Sequence, residues 1–191
     1  MIKAVVFDCF GVLTTDAWLP FKERYFGHDK SLFDQATDLN KQSDAGLIDY
    51  SVFIHEIASL ANITDADVRQ AVQNNVPNEP LYDWIGCLKE TYKIGMLSNA
   101  SEDRLDLLFT PDHLALFDAT ALSYDTGFIK PHAQAYESIA ERLDVALEDC
   151  VLIDDQERFC VAANDAGMHA IWYRSVGQTQ DDFKKFASLS E

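Results

Sequence analysis

The stretch AVVFDCFGVLTTD, residues 4–16, sets an apolar run hard against a carboxylate. Ala4-Val5-Val6-Phe7 is short, rich in β-branched and aromatic residues, and apolar throughout. Strands buried on both faces of a parallel sheet have this composition. Asp8 follows at once, and Gly11 then signals a turn. Open parallel sheets bind ligands at the carboxyl ends of their strands, so Asp8 stands where chemistry is done.

Runs of the same kind recur downstream: KIGMLSN (93–99), ATALS (119–123), CVLIDD (150–155) and HAIWY (169–173). Helical periodicity lies between them. In NEPLYDWIGCLKETY, Leu81, Trp84, Ile85 and Leu88 form one apolar stripe, and Pro80 suits a first helical turn. AQAYESIAERLD and ERFCVAANDAG read the same way, the second stopping at Gly167, a residue suited to ending a helix. Strands alternating with helices predict an α/β fold, a doubly wound parallel sheet with right-handed crossovers.

The alternation breaks between residues 15 and 80. SVFIHEIASLANI puts Phe53, Ile54, Ile57, Leu60 and Ala61 on one side of a helix. TDADVRQAVQNNV opens on Thr64 with Asp67 three residues on, close to a capping box. The segment is expected to be a small all-helical insertion, residues 15–80, placed directly after the first strand. Residues 1–14 and 81–191 then form the core.

The chain has 191 residues and a net charge of -17, from 32 acidic and 15 basic side chains. Its length suits one domain, or one domain carrying an insertion. The acidity argues against nucleic acid or an anionic membrane surface as partner, because both repel it. A phosphorylated small-molecule substrate would need local positive charge from a metal or a well-placed lysine. No apolar run reaches the roughly 18 residues needed to span a membrane. Cys9, Cys87, Cys150 and Cys160 show no CxxC spacing. They read as reduced thiols of a cytoplasmic protein, three of them buried, and not as a zinc site. Nothing in the sequence specifies an oligomeric state.

The strand ends carry a coherent set of groups. The first ends in Asp8, the second in Ser98-Asn99 and the fourth in Asp154-Asp155, while Lys130-Pro131 lies in the loop after the third. Carboxylates hold a hard divalent cation such as Mg²⁺ through oxygen. A further carboxylate can attack phosphorus. A hydroxyl, a backbone N–H and a lysine can hold a transferring phosphoryl group. Each piece also has an ordinary role. Asp8 could cap a turn, Ser98-Asn99 a helix starting near Ser101, and Asp154-Asp155 the helix from Gln156, with Lys130 solvated.

Taken in order, these motifs resemble the haloacid dehalogenase-like (HAD) hydrolases of the helical-cap (C1) branch. VVFDCFGVL, KIGMLSNAS, GFIKPHAQAY and VLIDDQERFCVAANDAGMHAIWY match the four family motifs along essentially the whole chain. The resemblance implies a Rossmann-like core, an aspartyl intermediate and Mg²⁺. It implies Asp8 as nucleophile and the Phe10 carbonyl and Asp155 as metal ligands, with Asp154 a second ligand or a supporting neighbour. It implies Ser98 and the Asn99 amide as contacts to the transferring group, and Lys130 as the group that steadies its charge.

One position departs from the pattern. Phosphatases of the family usually carry a second Asp where this chain has Phe10. Losing such a general acid–base group costs about 10²–10⁴ in rate. Three readings follow. The protein is a Mg²⁺-dependent phosphatase that is slow, or that borrows an acid–base group from His132, His28 or His55. It is a metal-independent 2-haloacid dehalogenase, whose branch carries an aromatic residue at this position. Or it is a low-turnover phosphate-binding or regulatory protein. The insertion, expected to close over the site, offers Trp18, Phe21, Tyr25, Phe26 and Phe33, most of them expected in its own core and the rest in a pocket.

Overall fold

The computed structural model describes residues 1–100 and 105–188. The expected helix start near Ser101 lies outside the described residues. Among those described, strands β1 (Ala4–Phe7), β2 (Lys93–Ser98), β3 (Ala119–Leu122), β4 (Cys150–Asp154) and β5 (His169–Trp172) form one sheet. Its order is β3-β2-β1-β4-β5, and every pairing is parallel. The first strand of the chain is therefore the central one, which is why it is apolar on both faces.

Side-chain alternation in β1 feeds two separate cores. Val5 and Phe7 point into one with Ile94, Met96, Val151 and Ile153. Ala4 and Val6 point into the other with Leu97 and Leu152. Between β1 and β2 the chain forms α1 (Trp18–Phe26), α2 (Lys30–Asp44), α3 (Tyr50–Ala61), α4 (Asp65–Val72) and α5 (Glu79–Leu88). Helix α5 covers the first core through Leu81, Ile85 and Leu88. After β2 come α6 (Leu105–Leu108) and α7 (Pro111–Leu114), and after β3 come α8 (Ser123–Thr126) and α9 (Ala133–Leu143). Helix α9 covers the second core through Tyr136 and Ile139. It approaches closely because Gly95 of β2 has no side chain: a Cβ there would meet Leu143 at 2.9 Å. Helix α10 (Glu157–Ala166) ends at Gly167, whose φ of 102° closes it in the left-handed region. Helix α11 (Val176–Ser188) returns Phe183 to the first core.

Helices α1–α4 build a third hydrophobic cluster of their own, centred on Phe26, Ile54, Ile57 and Val68. The capping box forms as expected, Thr64 and Asp67 each satisfying the other's backbone N–H. All the insertion aromatics singled out above join this cluster, Phe21 and Phe26 fully and Trp18, Tyr25 and Phe33 in part. The chain enters and leaves these helices side by side. Thr15 N–H donates to Val76 O at 3.0 Å, and Asn78 N–H to Leu13 O at 2.9 Å. No described helix is long and apolar enough to cross a membrane. Cys9, Cys150 and Cys160 are buried and Cys87 is exposed, all as free thiols.

Candidate active site

Asp8 is held by the last rung of the sheet, its N–H donating to Ile153 O at 2.9 Å. Only 4% of the residue is exposed. Its Oδ1 accepts from the Cys9 N–H at 2.7 Å and meets the Lys130 Nζ at 2.8 Å. Lys130 is equally buried and donates a second time, to Asp154 Oδ2 at 2.6 Å. Its ammonium also stands 4.9 Å from the centre of the Phe159 ring.

Asn99 fixes the backbone of that lysine from two sides. Its Oδ1 accepts from the Lys130 N–H at 2.8 Å, and its Nδ2 donates to the Lys130 carbonyl at 3.0 Å. This clamp was not expected, because only the Asn99 amide was assigned a contact. Asp154 is also more committed than its neighbour. One oxygen takes Lys130, and the other accepts from the Gln156 N–H at 2.8 Å. The capping role and the lysine role thus coexist, and Asp154 has no idle oxygen to offer first.

Asp155 is different. Its buried Oδ1 has no hydrogen-bond partner. The carboxylate lies against the backbone of Gly11, where an added Cβ would sit 2.3 Å from Asp155 Oδ2. Gly11 also has a φ of 87°, which L side chains rarely adopt. The Phe10 carbonyl accepts no hydrogen bond among the described residues. Ser98 Oγ is a further buried oxygen without a partner. A hydroxyl and a carboxylate oxygen left bare in one buried site each forfeit a hydrogen bond until a ligand supplies it.

Charge gives the same direction. Asp8, Asp154 and Asp155 offer oxygens within 4.8 Å of one another. Burial alone raises the Asp8 carboxyl well above its usual range; Lys130 opposes this, and Asp154 and Asp155 add to it. Burial and then Asp154 push Asp155 up to about 6. Burial pulls Lys130 down, but Asp154 and Asp8 outweigh it and hold the ammonium above its ordinary value. One lysine does not balance three clustered carboxylates. A divalent cation on oxygen ligands would, so the donor set fits a metal held by Asp8, Asp155 and the Phe10 carbonyl.

Titrating Mg²⁺ into the wild type should therefore give a calorimetric heat that Asp155→Ala loses. Protons compete for the same oxygen. Because burial pushes the Asp155 carboxyl up to about 6, apparent affinity should be full at pH 8 and fall as pH drops through that value. Equal heats from the two proteins, or an affinity indifferent to pH from 8 to 5, would remove the metal assignment.

The site opens into a cavity of about 650 Å³ between the sheet edge and the helical insertion. Asp8, Ser98, Asn99, Lys130 and Asp155 line one side, and Trp18 and Lys22 the other. None of the five histidines reaches it. His28, His55 and His132 are all exposed, His132 standing at the residue before α9 and His55 paired with Asp65 at 3.4 Å. The borrowed-histidine expectation is thus corrected: each of these side chains is already in water, outside the enclosed site. Phe10 lines the cavity too, and its ring packs on the core cluster beneath the sheet edge.

Residues 2–167 match the haloacid dehalogenase-like hydrolase family, and the chain belongs to it. It is 28% identical over 199 residues to Phosphatase MT3486 of Mycobacterium tuberculosis, covering 94% of this chain and 91% of that protein. It is 28% identical over 200 residues to Beta-phosphoglucomutase of Bacillus subtilis, covering 94% of this chain and 85% of that protein. Among solved structures, it is similar to the HAD family enzyme bt-2542 of Bacteroides thetaiotaomicron in complex with magnesium and inorganic phosphate. That likeness has a TM-score of 0.69 at 22% identity and covers 92% of this chain and 96% of that one.

Proposed function

We propose that the protein is a Mg²⁺-dependent phosphatase acting on a small phosphorylated metabolite through an aspartyl-phosphate intermediate. The reading rests on one observation: a buried carboxylate, Asp8, beside a second buried carboxylate oxygen that has no partner, on Asp155. A divalent cation on oxygen ligands would use that second oxygen and offset the clustered carboxylates. The phosphatase and mutase relatives, and the magnesium and phosphate held by bt-2542, support the same chemistry.

A carboxylate oxygen of Asp8 attacks phosphorus, and the P–O bond to the alcohol breaks with its electron pair going to the departing oxygen. Ser98 Oγ donates to a phosphoryl oxygen, and Lys130 holds Asp8 in line. Mg²⁺ on Asp8, Asp155 and the Phe10 carbonyl would neutralise phosphoryl charge. Water then opens the acyl phosphate and frees Asp8 and inorganic phosphate. Because Phe10 cannot protonate the leaving oxygen, esters with good leaving groups are preferred. A panel of phosphomonoesters with and without Mg²⁺, run beside 2-haloacids, tests the reading. Metal-dependent phosphate release supports it, and halide release without metal establishes the dehalogenase reading that Phe10 favours. Phosphate binding with no turnover of either class establishes the regulatory one.

Phe10→Asp should shorten the life of the intermediate and raise steady turnover about ten-fold or more. Phe10 is partly buried, so its loss costs less than the roughly 1.5–3 kcal/mol of a fully buried side chain. A variant that stays folded and binds Mg²⁺, yet turns over no faster, would show that position 10 is not the missing helper.

A further inference from the structure

The second buried lysine of the site forms no ion pair with a described carboxylate. Lys22, on α1, is 9% exposed and lines the same cavity as Asp8. Its Nζ donates to Thr37 Oγ1 at 3.1 Å and stands 4.2 Å from the centre of the Phe33 ring. Thr37 is neutral, and its own proton goes to Phe33 O at 2.8 Å. Lys22 pairs with no described carboxylate, whereas Lys130 pairs with two. Burial holds its ammonium below its ordinary range; Glu23 and Asp16 oppose this, and Arg158 and Lys41 add to it.

This is an expensive arrangement in a chain with a net charge of -17. A buried ammonium without an anion forfeits solvation and recovers little. No ion pair joins Lys22 to the described carboxylates on that wall. Asp16 Oδ1 accepts from the Trp18 N–H at 2.8 Å, and Asp44 Oδ2 accepts from Asn40 Nδ2 at 2.9 Å. Two further cations, Lys41 and Arg158, line the cavity beside Lys22. We infer that Lys22 is the anchor of a second oxyanion subsite, and that the substrate is a phosphate ester carrying another anionic group, a carboxylate or a second phosphate. The inference rests on the phosphatase reading for the first phosphate and adds the substrate class.

Phosphonates test it without turnover. With Mg²⁺ present, ω-phosphonocarboxylates of two to four carbons are titrated by calorimetry against alkylphosphonates of equal length, and alkyl bisphosphonates form a third arm. At least one phosphonocarboxylate or bisphosphonate should bind ten-fold or more tighter than its alkyl counterpart, and the better arm identifies the second group. Lys22→Met should remove that advantage and Lys22→Arg keep it. Lys22→Met should also melt no lower than the wild type without ligand, since it removes an uncompensated buried charge; Lys22→Gln serves if the methionine variant does not fold. No advantage in any pair, or one that survives in Lys22→Met, overturns the subsite. If alkylphosphonates do not bind at all, the phosphatase reading falls. Glutarate binding lost in Lys22→Met then still supports the subsite, and its absence from the wild type overturns it.

Discussion

Asp8→Asn should lower phosphate release from p-nitrophenyl phosphate by about 10⁴-fold or more, the scale seen when a covalent nucleophile is removed. The amide is nearly isosteric, and its oxygen can still accept the Cys9 N–H now held at 2.7 Å. Its electron pair is too weak a nucleophile toward phosphorus. Acid quenching during turnover should trap phosphate on the wild type and none on the variant. Stability should move the other way. Asp8 and Asp155 both have carboxyls raised by burial, so the folded metal-free protein binds protons more tightly than the unfolded chain. Their stabilisation is full below the ordinary carboxylate range and is lost as pH rises through the raised values, about 6 for Asp155. Asp8→Asn removes one of these groups, so metal-free stability should fall less steeply between pH 4 and about 7. A variant keeping more than about a hundredth of wild-type turnover would show that Asp8 is not the nucleophile.

Lys130→Met should cost about 3–5 kcal/mol of stability at pH 8 in the metal-free protein, the usual result of removing one partner from a buried ion pair. Lys130 is 2% exposed, and its partners Asp8 and Asp154 are 4% and 0% exposed. Without the ammonium, the carboxylates face each other in a site where little of either is exposed. Protonation is their way out. The destabilisation should therefore shrink at pH 5, where the carboxyls take up protons, and saturating Mg²⁺ should recover part of it at pH 8. The exposed pair Lys30–Asp34 supplies the contrast, at 2.8 Å but in water. Lys30→Met should change stability little, with little dependence on pH. Urea denaturation of both variants at the two pH values measures this. Equal, small costs for the two lysines would mean that Lys130 does not balance the carboxylates.

The sheet, and the edge that carries the candidate site, were legible in the sequence. Strand composition, the break of alternation after residue 15 and the capping box at Thr64 are local signals, and local backbone preference honours them. Asp8, Ser98, Lys130 and Asp155 could be brought together on paper because a parallel sheet puts every strand's carboxyl end on one side.

The division of labour within that set was not legible. Asp154 and Asp155 are adjacent in the chain, yet Asp154, the last residue of β4, reaches Lys130, while Asp155, one residue past the strand, lies against Gly11 with its Oδ1 bare. No histidine could be excluded from the site until the exposure of His28, His55 and His132 was seen. Lys22 reads as an ordinary charged residue in WLPFKERYF. Only the packing of α1 on α2 shows that it is buried over Phe33 with no ion pair to a described carboxylate. Turn chemistry and periodicity act between near neighbours and are written in the sequence. Desolvation and charge balance depend on which distant side chains share a low-dielectric space, and the tertiary structure alone determined that for Asp154, Asp155 and Lys22.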